Sequence, residues 1–164
     1  MKIKWFYRGM LFMGVVLLSS CSSSSYSVKI KDSSDIKNSI EVYLFGLKSD
    51  SLNQTKISSY DDFWLRVFKS NGQFPSDKRG FYFGTNTNEV QYLNHDDPIW
   101  SVWKDSDMEY FCIAVYYSDF TDSDRDSDDN WKKIIPIKHY NWLGMGSEKL
   151  EIDIKDQTFL VEEK

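Results

Sequence analysis

The chain has 164 residues, a formal net charge of −5 and 16% aromatic residues, with only three Pro and eight Gly. That length fits one domain with a real hydrophobic core, and the scarcity of Pro and Gly excludes collagen-like and low-complexity classes. The acidic balance argues against nucleic acid or an anionic lipid surface as partner.

The first residues carry Lys2, Lys4 and Arg8 and no acid. Met10 to Leu18 is apolar apart from Gly14, and Leu18-Ser19-Ser20-Cys21 follows. A charged start, a short apolar middle and a small-residue end make a bacterial export signal. The apolar run is half of the ~20 residues a membrane-spanning helix needs. An ordinary secretory signal would leave Cys21 at the cleavage point without a reason. Leu-small-small-Cys resembles the lipobox of bacterial lipoproteins. The resemblance implies cleavage before Cys21 and fatty acylation of its thiol and its new amino group. One acyl chain binds a membrane marginally, at about 10⁴ M⁻¹. The three chains usual in such lipoproteins would hold the protein permanently. Ser22, where inner-membrane retention uses Asp, resembles the sorting pattern for the outer membrane.

The expected organisation is a signal peptide at 1–20, an acylated Ser-rich tether at 21–27 and one domain at 28–164. Removing the +3 of residues 1–20 takes the net charge of −5 to about −8. With Cys21 acylated, Cys112 is left without a disulfide partner. Its apolar neighbours, Tyr110 to Val115, predict a buried and inert thiol.

Along the domain, the period is mostly two. Tyr26, Val28 and Ile30 alternate with Ser27, Lys29 and Lys31. Ile40, Val42 and Leu44 alternate with Glu41, Tyr43 and Phe45. Ser58 to Asp62 then precede Phe63, Trp64, Val67 and Phe68, which share one helical face. Ser59 with Asp62 imitates a capping box, and Asn71-Gly72 supplies a stop, so a short helix is expected at 60–70. Residues 72–88 and 94–108 read as irregular, with Pro98 to Trp103 as an extra edge strand. Val90 and Tyr92 alternate with Glu89 and Gln91. Residues 109–118 form a continuous apolar run that suits a central strand covered on both faces. Residues 131–138 read as a strand which Pro136 confines to an edge or bulge. Leu150, Ile152 and Ile154 mark another strand, and 158–162 pairs back on it through Asp156-Gln157. Six or seven strands at hairpin-scale spacing predict an all-β fold, a two-sheet antiparallel β-sandwich with a short inserted helix.

Several constellations invite chemistry. Asp119 to Asp129 holds six carboxylates in eleven residues. Asp122, Asp124 and Asp126 match the first ligands of a calcium loop, but Ser127 and Lys133 stand where Gly and the bidentate Glu belong. The expected reading is a solvated hairpin tip, dispensable for folding, in which Asp122, Asp124, Asp126 and Asp128 tolerate replacement by Asn. His95 and His139 lack partners at zinc-ligand spacing. No nucleophile elbow, phosphate loop or dinucleotide fingerprint occurs, so no cofactor and no enzyme activity are expected. Trp64 and Trp131 read as core. Trp100, Trp103 and Trp142 are better explained by packing than by a sugar-stacking platform.

The order of the pieces carries a resemblance. A lipobox is followed by a short first strand and a loop, then Ile40-Glu41-Val42-Tyr43-Leu44-Phe45-Gly46-Leu47 and the helix Asp62-Phe63-Trp64-Leu65. Next comes Tyr110-Phe111-Cys112-Ile113-Ala114-Val115-Tyr116-Tyr117-Ser118-Asp119, then Trp131-Lys132-Lys133-Ile134-Ile135-Pro136-Ile137 and a final strand pair. Over 26–162 this resembles the outer-membrane lipoprotein of type VI secretion systems, the TssJ (SciN) family. The resemblance implies a transthyretin-like sandwich anchored to the outer membrane, on its periplasmic face, by lipid on Cys21. It implies a grip on the periplasmic region of an inner-membrane TssM-type protein by the loop between the first two strands. That loop is Asp32, Ser33, Ser34, Asp35, Ile36, Lys37 and Asn38, shorter than usual in the family. The competing reading is a lipoprotein module that binds cell-wall glycan or peptide, or inhibits a cell-wall hydrolase. Trp side chains exposed on one sheet face would favour it.

Overall fold

The computed structural model describes residues 26–35, 39–69, 78–85, 87, 89–137 and 148–164. Eight strands are β1 Tyr26–Asp32, β2 Ile40–Leu47, β3 Lys78–Phe83, β4 Val90–Leu93, β5 Tyr110–Tyr117, β6 Lys132–Pro136, β7 Glu148–Lys155 and β8 Thr158–Glu163. They form two four-stranded sheets, β4-β1-β7-β8 and β3-β2-β5-β6. Tyr26 and Ser27, expected in the tether, belong to β1. Among the described residues five strand pairings are antiparallel, and β1 runs parallel to β7. The two-sheet sandwich expected from the alternation is present. The turn at Asp156-Gln157 closes the β7–β8 hairpin with Gln157 at φ 59°, in the left-handed region.

The inward positions of both sheets make one core. Val28, Ile30, Ile40, Val42, Leu150, Ile152, Ile154 and Phe159 are all at most 3% exposed. The continuous apolar run of β5 reports burial on both faces, with Cys112, Ile113, Ala114 and Val115 fully covered. The alternation of β2 predicts one buried face, yet Tyr43 and Phe45 are buried too. A pair of helices, α1 Ser49–Ile57 and α2 Tyr60–Lys69, lies on that outer face. Phe63 meets Phe45, and Trp64 meets Tyr43 and Tyr116, at ring separations of 6.0, 5.7 and 5.3 Å. α2 starts as its sequence predicts: Ser59 Oγ donates to Asp62 Oδ2 at 3.0 Å and accepts from the Asp62 N–H at 3.3 Å. Asn71-Gly72 and Trp142 lie outside the described residues.

Several elements differ from expectation, each for a local reason. Pro98–Trp103 is not an edge strand: α3 spans Ile99–Asp105. Trp100 and Trp103 stand one helical turn apart, and that spacing puts both on the buried face. β3 lies within a stretch that reads as irregular, because Gly80 and the exposed Tyr82 break its alternation. α1 carries no sequence signal, because Leu52 and Ile57 are its only large apolar residues and leave it no apolar stripe. Trp131 closes a single helical turn, α5 Asp128–Trp131, rather than opening the strand. Pro136 ends β6, an edge strand, where its missing N–H costs nothing in the ladder.

The sandwich has two poles. At one, Tyr26 of β1 pairs with Glu148 of β7; at the other, Asp32 pairs with Ile154. α3 plugs the first pole. Trp100 stacks on Tyr26 at 5.9 Å, and Trp103 meets Phe111 at 5.6 Å. Gly46 is what lets the plug seat: a Cβ there would stand 2.6 Å from Met108 Cγ and 3.0 Å from Trp103 Cδ1. Gly46→Ala should therefore cost about 1–3 kcal/mol, as overpacking does in a tight core. The check is the urea midpoint together with the near-ultraviolet dichroism of the two Trp; an unshifted midpoint would show that the plug yields freely.

Side chains stitch the open sides. Gln91 Nε2 donates to Tyr82 O at 2.6 Å across the β3/β4 side. Lys133 Nζ donates to Phe159 O at 3.0 Å across the β6/β8 side. Arg79 reaches Asp97 with two nitrogens, tying β3 to the start of α3. Burial works against the charge of Asp97, but the Arg79 and Ile99 N–H donors outweigh it and hold the carboxyl below its usual range.

Candidate partner-contact pole

The pole opposite the α3 plug is built by the ends of β1, β5 and β7 and the loops that leave them. Asp32 Oδ1 accepts from the Ser34 N–H at 3.0 Å and from Ser34 Oγ at 2.6 Å, a turn that Asp favours because its side chain mimics the backbone. The Asp32 N–H donates to Glu89 O at 2.8 Å, and the Ser33 N–H to Ile154 O at 2.9 Å. The Asp35 N–H donates to Asp156 Oδ1 at 2.9 Å. The first half of the loop is thus fastened to the β7–β8 hairpin and to the lead-in of β4. Asp35 is exposed, and Asp32, Ser33 and Ser34 are half-buried. Ile36, Lys37 and Asn38 lie outside the described residues, as does Cys21. Tyr117 sits beneath this pole and donates its hydroxyl to Thr158 O at 2.6 Å. Burial first, and then the nearby Asp32 and Asp156, push its phenol pKa far up, so it stays neutral.

Beside it stands the acidic loop, and here the structure corrects the sequence reading. The loop is not a featureless tip. It holds two single-turn helices, α4 Asp122–Arg125 and α5. Thr121 and Asp124 form a capping box: the Thr121 N–H and Oγ1 both donate to Asp124 Oδ2, at 2.9 and 2.6 Å. Those bonds hold the Asp124 carboxyl below its usual range. Arg125 lies over the Tyr60 ring at 5.0 Å and pairs with Asp61 at 3.4 Å.

Lys132 is the residue that sequence reasoning missed. It is 4% exposed, at the end of the acidic loop. Its Nζ donates to Thr55 O at 2.8 Å, Lys56 O at 3.2 Å and Ser58 O at 3.3 Å, and pairs with Asp128 Oδ2 at 3.2 Å. The ammonium also lies 4.5 Å from the Trp131 ring centre. Helix ends leave carbonyls unpaired and partly negative, and a cation there satisfies both. Lys132 is therefore the C-terminal cap of α1, supplied from 76 residues away in sequence. The only signal was a Lys in phase with inward apolar residues, which reads as noise without the helix.

Three of the six acids are engaged locally: Asp124 with Thr121, Asp128 with Lys132, and Asp122 within 3.8 Å of Arg125. Among the described residues no group of three or more His, Cys, Asp or Glu is placed to hold a metal ion. Cys112 is fully buried, and burial pushes its thiol up to about 12, which makes it unreactive at neutral pH. His95 is exposed, and His139 is outside the described residues. Trp64, Trp100, Trp103 and Trp131 are between 0 and 3% exposed. Core packing accounts for all four, and none contributes to a sugar-stacking face. Two open grooves flank the acidic loop, of about 450 and 540 Å³, lined largely by Lys and Asp side chains.

The chain is a two-sheet sandwich with a helical pair on one outer face and a helical plug at one pole, and solved structures resemble its fold. The type VI secretion lipoprotein TssJ1 from Pseudomonas aeruginosa superposes with a TM-score of 0.52 at 10% identity, over 85% of this chain and 95% of that one. Lip from Serratia marcescens, a membrane-bound component of the type VI secretion system, gives 0.53 at 12%, over 85% and 97%. A chain of a type VI membrane complex gives 0.50 at 11%, over 84% and 96%. The chain therefore has a TssJ-like β-sandwich fold. No protein-family model matches its sequence, and no curated protein does.

Proposed function

We propose that the protein is a lipid-anchored structural component of a type VI secretion membrane complex. Cys21 holds the inner leaflet of the outer membrane, and the domain in the periplasm grips the periplasmic part of an inner-membrane TssM-type protein. The observation that carries this reading is the TssJ-like fold over 85% of a chain whose lipobox Cys lies five residues before β1. Five residues span at most about 18 Å, so the domain stays close to the membrane. β1 then runs for seven residues, about 23 Å, before the Asp32–Asn38 loop begins. The tether and this loop are therefore at opposite poles, as a bridge between two membranes requires. Such a bridge needs an anchor, a rigid body and a contact surface, and no catalytic step or cofactor.

The test is copurification. Replacing Asp35, Ile36 and Lys37 together by Ser should weaken capture of the TssM-type periplasmic segment at least about tenfold, as loss of a central apolar anchor does. Its charged neighbours should tune association rate and salt dependence instead. Tyr92→Ser, on the exposed face of β4, should bind as wild type does. Equal capture by the triple variant would remove the loop from the contact. Retention of glycan or a hydrolase by a wild-type protein that ignores the TssM-type segment would select the competing reading.

A further inference from the structure

We infer that α1 is a strap: two opposite charges borrowed from the β3-β2-β5-β6 sheet clasp its ends, and it lets go as a unit while α2 and both sheets stay folded. The inference stands apart from the proposed function.

Little in α1 itself makes it a helix. Its nine residues, Ser49–Ile57, are fewer than the ~12–15 that an isolated helix needs in water. Five of them are Ser, Asp, Asn or Thr, which favour caps and turns over helix interiors. Thr55 is its only buried residue, Ile57 is 84% exposed, and Lys48 gives the first turn no side-chain cap. α2 differs. It buries Phe63 and Trp64 against Phe45, Tyr43 and Tyr116. One helix of the pair is held by packing, and the other is not.

What holds α1 stands at its ends. At the start the Ser49 N–H and Oγ donate to the two carboxylate oxygens of Glu109, at 3.3 and 2.8 Å. At the end Lys132 takes the carbonyls of Thr55, Lys56 and Ser58. A carboxylate at the first turn and an ammonium at the last are the signs that the helix dipole favours. The register fixes their spacing. Lys132 is level with Ala114, five residues along from Glu109, or about 17 Å. A nine-residue helix is about 14 Å long, so α1 fits between the clasps. Cys112 and its partner Ile134 lie between them, on the outer face that Phe45 shares.

Release needs no residue of the apolar core to move. The ends of α1 stay joined to β2 and α2, so it opens as a short loop, and local openings of this sort cost a fraction of global unfolding. Lys56 and Asp128 line both grooves beside the acidic loop and so divide them. When the last turn of α1 leaves, Lys56 goes with it, and the two grooves become one.

The test is native-state hydrogen exchange on the whole chain, read by mass spectrometry over peptides from α1, α2 and β5. The α1 amides should show protection at least about a hundredfold below that of β5. Low urea should leave them almost unchanged while it speeds β5 steeply, because the slope follows the surface that an opening exposes. The Phe63 and Trp64 amides of α2 should keep the protection of β5. Glu109→Ala should speed α1 exchange about threefold or more, and Lys132→Met further, since the Glu109 clasp is exposed and the lysine clasp is buried. If Lys132→Met does not fold, Glu109→Ala carries the comparison. α1 amides that share the protection and the urea slope of β5 overturn the inference, because α1 then opens only with the whole domain. So does α1 exchange that neither variant speeds, because its ends then do not hold it.

Discussion

Lys132→Met should lower the unfolding free energy by about 2–4 kcal/mol, because it strands the buried carbonyls of Thr55 and Ser58 without their donor. Domains of this kind have only about 5–15 kcal/mol in total, so the loss is a large fraction. Methionine keeps most of the side-chain volume, which separates the lost cap from a cavity effect. Asp128→Asn should cost at most about 1 kcal/mol, since that carboxylate is 51% exposed and screened. The quadruple replacement of Asp122, Asp124, Asp126 and Asp128 by Asn should destabilise, through the lost partners of Thr121 and Lys132, although relief of charge repulsion alone predicts equal or slightly higher stability. Urea unfolding measures all three. A Lys132→Met midpoint equal to wild type, with an unchanged slope, would mean that α1 does not depend on its borrowed cap.

Cys21→Ser should move the protein from the membrane fraction to the soluble fraction. No helix among the described residues is long and apolar enough to cross a membrane. The proposed hold is then acyl chains alone, each adding about 0.8 kcal/mol per buried CH₂. Serine has no thiol to receive diacylglycerol, so the variant carries no acyl chain. The measurement is fractionation of cells together with incorporation of labelled palmitate. Persistence of the serine variant in washed membranes, at wild-type abundance, would place the attachment elsewhere in the chain.

Some of this protein is legible from residue order. Alternation along 26–31, 40–45 and 150–154 states which face of each strand is apolar, and the structure buries those faces. The apolar run of 109–118 announces a strand covered on both sides. Ser59 and Asp62 mark where α2 begins, and Pro136 marks an edge. These are local properties: side-chain period, capping chemistry and a missing N–H act within a few residues. That the loop Asp32–Asn38 is a contact is a proposal, and it comes from the order of motifs rather than from any local property of its residues.

The rest was decided by partners far away in sequence. Tyr43 and Phe45 fall on the outward face by alternation, and Trp64 and Phe63 of α2, arriving from the other side of α1 in sequence, pack on them. The parallel match of β1 with β7 joins strands more than a hundred residues apart and leaves no turn signal. α3 is a helix because two Trp fill the end of the sandwich over Gly46, a space that exists only after the sheets have met. Lys132 reads as a surface charge until the carbonyls of α1 surround it. Local periodicity determined which strands form and which way they face. Tertiary packing alone decided what covers them, since burial, capping and charge pairing are set by the distances that folding creates.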